Sequence, residues 1–473
     1  MDFYIRKVLI NGLFEPGNNY KIYLNEGCNC IYGSNGTGKT TIINLIVNSL
    51  SVEFEPLIRT PFTSISIFLA KTGQVRANKF LTLTKEKSSL FPGAPDIRYE
   101  IEGDVSHIFS FDPRFSLSRV QDRYNEELDS LKQHISKKIN LTHVPLLRMH
   151  DSELLGGRDE RDEYLHSALR NKHLSSSQIN EIIDPSVRVL NTLQRQFTAE
   201  ANETRKTITE KLEVLKSKII ERVMIDESLV RMSAKALSKA TKAISSELED
   251  VDVSAYVSKL REARINVPEK KIHEHFSTWK KLNDGVRDAY KILEKTRKSK
   301  KDNDPDSIRK HQDAVNKFND SYFGLIAMTN FNDRFLSIVE DVESMQVEKF
   351  ELTKSFSDYE KEINKYLAPR KSFTINEDGK FIIETNRKVE LYDLSSGEKH
   401  ILTILGKAAL SRREGAIFVA DEPELSLHLD WQRMILPSII KLSPKSQIIV
   451  ATHSPAITAK GATEIDLEEC RDA

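Results

Sequence analysis

The sequence predicts an α/β fold in which a parallel sheet with an antiparallel β-subdomain is interrupted by a long helical insertion. Three observations predict it. A glycine-rich loop at residues 33–40 lies between an apolar strand pattern and an apolar helix pattern. Strand and helix patterns alternate again from residue 397 onward, as they do in βαβ units. A charged, glycine-poor stretch with helical periodicity separates the two parts.

The chain has 473 residues, which is enough for about two or three domains. We expect residues 1–150 to form one half of the α/β domain, 151–370 the helical insertion and 371–473 the other half. One helix is predicted over 41–50 in the first half. Patterns that are mostly alternating predict strands at 3–9, 20–24, 28–32, 64–70, 79–84 and 96–102, and a last apolar run lies at 144–147.

Apolar residues in the insertion recur at steps of three and four from Leu190 to Ile219, which predicts a long amphipathic helix. Further helices are predicted at 227–248, 269–298 and 307–343. Two interpretations stay open: a helical bundle that packs on itself, or a pair of antiparallel arms that project from the α/β domain. The stripe is not strictly heptad, so at most a short, irregular coiled coil is predicted.

The second half of the α/β domain begins with a hairpin pattern, because strand-like segments flank a turn at 376–379. After it, apolar strands and helices alternate. The predicted elements are strands at 372–374, 380–384, 416–420 and 447–451, and helices that begin near 397 and cover 431–441.

Composition limits the function classes. Apolar residues make up 39% of the chain, which excludes wholesale disorder. Lys+Arg and Asp+Glu number 70 each, so nucleic acid is not held by bulk charge, and any DNA or RNA contact needs a local patch. The chain has three cysteines, without further ligands at metal-binding spacing, which fits a reducing compartment. We expect a cytoplasmic protein with no membrane segment.

The glycine-rich loop at 33–40 matches the P-loop pattern and lies between a strand and a helix, as that motif requires. Its glycines permit a tight turn, so that backbone N–H groups face phosphate oxygens. Lys39 is expected to reach the β- and γ-phosphates of ATP, and the Thr40 hydroxyl to ligate Mg²⁺. The predicted nucleotide-binding residues of this loop are Asn35, Gly36, Thr37, Gly38, Lys39, Thr40 and Thr41.

Two acids follow the apolar strand pattern at 416–420, at the sheet edge where ligands bind in open α/β folds. Asp421 is predicted to hold the Mg²⁺ together with Thr40. Glu422 is predicted to polarise the attacking water as a catalytic residue. The alternative is a solvated acidic turn, which is disfavoured because a P-loop lies upstream.

Two further segments lie at predicted element ends. Ser395, Ser396, Gly397 and Glu398 open a helix and form a second candidate anion site, although an N-cap with a first-turn acid explains them equally. His453 follows the strand pattern at 447–451. Its alternatives are a structural histidine or a catalytic sensor of the γ-phosphate, and the spacing from the acids favours the sensor.

These four motifs in this order resemble the ABC-type ATPases of the SMC and OLD families, over about 1–148 and 371–454. The resemblance implies an ABC-type P-loop ATPase head and slow ATP hydrolysis. It implies that Ser395, Ser396 and Gly397 form a signature motif that contacts ATP on a partner subunit, within a homodimer of heads or a higher oligomer. The segment 424–430 resembles a D-loop, and His453 resembles the switch histidine. Ser396 occupies the position where SMC proteins usually have glycine. No glutamine of this sequence can be assigned to a Q-loop.

The segments 421–428 and 451–455 are closer to OLD-like and prokaryotic anti-phage ATPases than to SMC heads. OLD nucleases and the Gabija ATPase continue into a TOPRIM nuclease, whereas 20 residues follow His453 here. The resemblance is therefore to the Septu-type or retron-associated ATPase subunit, which works with a separate effector nuclease of HNH type. It implies a role in anti-phage defence.

Two other functions remain open. An SMC-like DNA-repair or DNA-clamping ATPase would use the basic run at 291–301 on phosphates, although such a run is also typical of a solvated helix end. A transporter ATPase is disfavoured by the long insertion and by the missing Q-loop.

Overall fold

The structure is a computed structural model that divides into two compact units. The first comprises Met1–Asn202 and Lys354–Ala473, and the second comprises Glu203–Thr353. The residues described are 3–34, 36–102, 105–116, 119, 122–145, 184–223, 241, 252–262, 265, 267–299, 305–412, 415–457 and 459–472.

All described strands belong to the first unit. They are β1 Phe3–Asn11, β2 Asn19–Tyr23, β3 Cys28–Tyr32, β4 Ser64–Lys71, β5 Ala77–Lys87, β6 Pro95–Ile101, β7 Val105–Ser110, β8 Asn140–Val144, β9 Ser372–Ile375, β10 Phe381–Glu384, β11 Lys388–Val389, β12 Ala416–Asp421, β13 Gln447–Ala451, β14 Thr463–Asp466 and β15 Arg471–Asp472. A parallel sheet has the order β14-β3-β13-β12-β8, and antiparallel sheets have the orders β15-β2-β1-β4-β5-β6-β7 and β11-β10-β9. The predicted α/β fold with a parallel and an antiparallel sheet is confirmed.

The described helices divide between the units, and two of them continue through both. They are α1 Lys39–Ser51, α2 Phe54–Arg59, α3 Asn125–Ser136, α4 Pro185–Val223, α5 Val253–Glu262, α6 Glu269–Ser299, α7 Pro305–Leu367, α8 Ser396–Leu410 and α9 Leu429–Leu442. The units divide within α4 and α7, at 202/203 and 353/354, whereas the composition changes near 150 and 370.

The parallel sheet separates two apolar cores of the first unit. Successive side chains of a strand point to opposite faces, so Ile417 and Val419 of β12 join the core that contains α1 and the large antiparallel sheet. Phe418 and Ala420 join the core that contains α8 and α9. Every residue of β12 and β13 is buried, which explains their continuous apolar runs and fixes the sheet edge where the candidate site lies.

The second unit has an apolar cluster of its own, to which four helices contribute. It contains Leu215 of α4, Leu260 of α5, Phe276 of α6 and Val342 of α7. Ion pairs at its surface join Lys211 to Glu348 and Arg222 to Asp341. The helices of the second unit therefore pack on one another around a shared apolar cluster.

Several predicted elements differ from the structure. The sequence pattern misses α2, β7 and α3, although Leu128, Leu131 and Ile135 bury one face of α3 at helical spacing. The helix predicted to end at 343 continues to Leu367, because no glycine or proline lies between residue 343 and Pro369. The helix predicted at 227–248 falls almost wholly outside the described residues. None of the described helices combines the length and the apolar character needed to cross a membrane.

Candidate functional site

The parallel sheet brings three sequence motifs to one edge. The strands β3, β13 and β12 are neighbours and run in the same direction. The P-loop follows β3, His453 follows β13, and Asp421 and Glu422 lie at the end of β12. The carboxyl ends of parallel strands meet at one edge, where ligands bind in open α/β sheets. The edge is therefore the candidate site.

The P-loop curls around the ammonium group of Lys39. This group donates hydrogen bonds to the carbonyls of Gly33 (2.7 Å) and Ser34 (3.1 Å), and the Lys39 residue is 6% exposed. Gly38 adopts φ 93° just before α1, a left-handed conformation that favours glycine. A Cβ at Gly33 would lie 2.9 Å from Thr37 Oγ1. The loop is thus shaped as a cradle of backbone groups at a helix N-terminus, which fits a phosphate chain.

Thr40 and Thr41 lie in the first turn of α1, directly after Lys39, while Asn35 lies outside the described residues. The Thr40 hydroxyl and the Asp421 carboxylate are hard oxygen donors, the kind that Mg²⁺ prefers. Asp421 is 2% exposed at the end of β12. These two residues fit the Mg²⁺ that accompanies ATP in P-loop enzymes.

Glu422 has a strained backbone at the candidate site. Its φ is 46°, and its N–H donates to the Ala451 carbonyl of β13 at 2.8 Å. A non-glycine residue in this region costs about 1–3 kcal/mol, and such strain concentrates at functional sites. The turn after β12 is therefore fixed to the neighbouring strand, and the Glu422 side chain is directed by it.

His453 contacts Glu422 directly. The distance from its Nδ1 to Glu422 Oε2 is 2.5 Å, and its backbone N–H donates to the same oxygen at 3.3 Å. The Glu422 side chain is 11% exposed, and that of His453 is 47% exposed. The structure thus joins the two residues that the sequence proposed separately as catalytic, with the imidazole accessible from solvent.

Glu424 is an acid of this site that the sequence analysis did not single out. It is 3% exposed, and its carboxylate accepts a hydrogen bond from the Thr452 hydroxyl. The pKa of Glu424 is raised to about 7, chiefly by burial and also by the neighbouring Glu422 carboxylate, although the bond from Thr452 opposes the increase. The acidic residues at 421, 422 and 424 are the sequence signal that could have pointed to it.

The predicted signature residues begin α8. Ser395 is its N-cap and forms a capping box with Glu398. Glu398 accepts from Lys371 at 2.7 Å. Burial raises the pKa of Glu398, but the bonds from Lys371 and Ser395 outweigh this and lower it below its ordinary value. A Cβ on Gly397 would lie 3.3 Å from the carbonyl of Ser426, so this glycine packs closely on the D-loop-like segment of its own chain. The side chains of Ser395 and Ser396 are exposed.

Phe14 is a second residue that the sequence analysis missed. The residue is 47% exposed, and a Cβ on Gly38 would lie 3.1 Å from its ring. Its φ of 65° places a bulky residue in a left-handed conformation, which is a signal visible only in the structure. An exposed ring beside the phosphate loop is a surface on which a nucleobase can stack.

We expect Phe14→Ala to raise the Kd for ATP about tenfold, because stacking of a base on an aromatic ring contributes about 1–3 kcal/mol. Isothermal titration with MgATP measures it. Phe14→Trp is the matched control and should keep the affinity. Equal affinity of the alanine variant and the unmodified protein would show that the base binds elsewhere.

The buried His400 and the half-buried His143 predict how the stability of the protein responds to acid. Burial, and secondarily the Lys407 ammonium, lowers the pKa of His143 to about 4, and burial lowers that of His400 to about 4. Unfolding lets both take up protons between about pH 6.5 and 4. The free energy of unfolding should therefore fall as the pH falls through this window, by up to roughly 3 kcal/mol per histidine.

Chemical denaturation between about pH 7 and about pH 4 tests this. His400→Gln should make the pH dependence shallower, while the exposed His428→Gln should not. A dependence of equal slope in both variants would exclude His400 as a cause.

The fold and the site define a P-loop nucleotide-binding protein. The AAA ATPase domain family (AAA_15) matches residues 4–458, and the chain belongs to this family. The predicted use of ATP and the ATPase class are confirmed at this level.

Further similarities are more limited. The retron Ec83 probable ATPase of Escherichia coli is 34% identical over 85 residues, which are 16% of this chain and 16% of that protein. One similar solved structure is the Smc head domain of Pyrococcus furiosus with an extended coiled coil, bound to the C-terminal domain of ScpA. Its sequence is 13% identical, the TM-score is 0.35, and the alignment covers 96% of this chain and 91% of that one. Another is the Smc head domain of Pyrococcus yayanosii with a coiled coil and joint. Its sequence is 16% identical, the TM-score is 0.33, and the alignment covers 96% of this chain and 93% of that one.

Proposed function

We propose that this chain is the ATP-hydrolysing subunit of a bacterial anti-phage defence complex and that its heads pair over ATP to control a separate effector nuclease. The observation that carries the ATPase part is the convergence of the P-loop, Asp421, Glu422 and His453 at the ends of three adjacent parallel strands. The tight contact between Glu422 and His453 supplies a base with a residue that orients it.

In this proposal each residue has one role in hydrolysis. Lys39 and the loop N–H groups bind the phosphates, and Thr40 and Asp421 hold the Mg²⁺. The bound Mg²⁺ neutralises charge on the β- and γ-phosphates. Glu422 accepts the proton of the attacking water, and His453 fixes the Glu422 carboxylate while its exposed edge faces the γ-phosphate.

We propose further that Ser395, Ser396 and Gly397 complete the site of a second subunit. Their position at the N-terminus of α8 suits an anion, and the two serine side chains are exposed within their own chain. Two subunits would then enclose two nucleotides in a homodimer, and higher oligomers would repeat the same contact.

Ser395→Arg should abolish ATP hydrolysis while the affinity for ATP stays unchanged, since the added side chain would occupy the space of the partner's γ-phosphate. Steady-state phosphate release and nucleotide titration measure the two properties. Ser395→Ala is the control, because it removes the N-cap, at about 1 kcal/mol, without adding bulk. A parallel loss of ATP affinity in Ser395→Arg would contradict a site shared between subunits.

The defence role rests on the resemblance of 421–428 and 451–455 to anti-phage ATPases, and on the 34% identity with the retron ATPase over 85 residues. Affinity purification from the native host, with ATP, with ADP and without nucleotide, tests it. We expect a nuclease, of HNH type by the resemblance, to accompany the protein in at least one nucleotide state. Purification without any nuclease in all three states would refute the partner assignment.

A DNA-clamping ATPase is the second candidate, and one contact favours it. Thr296 Oγ1 lies 3.2 Å from His311 Nδ1, which brings together the basic ends of α6 and α7, including the exposed Arg297, Lys298, Arg309 and Lys310. DNA or RNA held here should lose affinity steeply with salt. Binding that is absent at low salt would exclude this candidate.

A further inference from the structure

We propose that Glu422, Glu424 and His453 form a binding site for a transition-metal ion of the Zn²⁺ type, separate from the Mg²⁺ ligands proposed at Thr40 and Asp421. Among the described residues, one carboxylate oxygen of each glutamate and one imidazole nitrogen lie within 4.8 Å of one another. The three residues follow two adjacent parallel strands, so the backbone fixes their separation.

The carboxylate of Glu424 lacks a full set of partners. Its Oε1 accepts from Thr452, whereas its Oε2 is buried without a hydrogen-bond partner. The residue is 3% exposed, so water does not readily compensate. An unsatisfied buried carboxylate oxygen is costly, and a second carboxylate beside it adds repulsion. A bound cation satisfies the oxygen and neutralises both acids.

The donor set selects the metal. An imidazole nitrogen with two carboxylate oxygens suits Zn²⁺, whereas Mg²⁺ prefers oxygen ligands alone. Ligands of one tetrahedral Zn²⁺ lie about 3.3 Å apart. His453 Nδ1 and Glu422 Oε2 are 2.5 Å apart without the ion, so they must separate slightly to admit it, and the half-exposed His453 side chain can supply this movement. Thr452 orients Glu424 as an outer partner, a role that strengthens metal sites. Three protein ligands leave a fourth position for water.

Occupancy of this site would engage Glu422 and His453, the base and its orienting residue in the proposed function. Zn²⁺ would therefore compete with ATP turnover, and a free metal ion would regulate the site. The binding itself does not depend on that function, because it requires neither nucleotide nor hydrolysis.

The test is a Zn²⁺ titration of nucleotide-free, chelator-treated full-length protein against a fluorescent zinc indicator, with millimolar Mg²⁺ present. We expect one Zn²⁺ per chain, with at least tenfold weaker binding in Glu424→Gln and also in Thr452→Val, where only the orienting bond is lost. The matched control is the exposed pair His428 and Asp430, whose Nδ1 and Oδ2 atoms lie 3.3 Å apart. His428→Ala and Asp430→Asn should bind as the unmodified protein does.

Two results would overturn the proposal. One is the absence of Zn²⁺ binding by the unmodified protein under these conditions, which would mean that a proton shared between Glu422 and Glu424 relieves the repulsion between their carboxylates. The other is Glu424→Gln that binds Zn²⁺ as tightly as the unmodified protein. Thermal unfolding of each variant verifies that it is folded, and phosphate release measured without Zn²⁺ tests the proposed ATPase separately.

Discussion

Lys39→Ala should lose nucleotide binding. The Lys39 ammonium is nearly buried inside the P-loop and donates to two loop carbonyls. When ATP binds, the same donors are expected to turn to the β- and γ-phosphates. Hydrogen bonds to charged groups contribute about 1.5–3 kcal/mol each, so the loss of two of them should raise the Kd at least about a hundredfold.

Isothermal titration with MgATP measures the effect. Lys460→Ala removes an exposed lysine and should leave the affinity unchanged. Thermal unfolding without nucleotide separates binding from stability, because alanine also removes the two bonds to the loop carbonyls. An affinity for ATP close to that of the unmodified protein, in a folded Lys39→Ala variant, would contradict the assignment of the P-loop.

Glu422→Gln should leave ATP binding intact and slow hydrolysis about 10²–10⁴-fold, the range for loss of a general base. Glutamine has the shape of glutamate but cannot take a proton from water at neutral pH. The contact with His453 remains available through the amide, so the geometry of the turn should persist. Slow hydrolysis with intact binding should keep ATP between paired heads.

Single-turnover hydrolysis and nucleotide titration separate the two effects. Asp430→Asn is the control, because this acid follows in the same segment with its side chain 75% exposed. Hydrolysis by Glu422→Gln at the rate of the unmodified protein would mean that another group activates the water.

The parts of the fold that the sequence predicts are those with a strong local signal. The strand pattern at 447–451 matches β13 because every residue there is apolar or buried, and the loop at 33–40 requires a strand before it and a helix after it. By contrast, α3 is short, and charged residues separate its three buried apolar residues, so its helical pattern is weak. The length of α7 is hidden because different parts of the helix bury different faces, so no single stripe persists along it.

The candidate site was predictable residue by residue but not as a geometry. Local pattern proposes Lys39, Asp421, Glu422 and His453, yet their proximity follows from the order of the parallel strands, which depends on contacts distant in sequence. The sequence does not indicate Glu424, because its burial and its contact with Thr452 depend on tertiary packing. Phe14 was missed for the same reason, since it is separated from Gly38 by the whole of β2 and β3.

The sharing of one ATP site between two subunits is tested most directly by mixing Lys39→Ala with Ser395→Arg. Each variant alone should be inactive. A mixed dimer contains one site with an intact P-loop from one subunit and an intact signature from the other. Random pairing makes such sites about a quarter of the total. We therefore expect phosphate release to recover to about a quarter of the unmodified rate. A mixture that stays as inactive as its components, although the subunits exchange, would contradict the shared site.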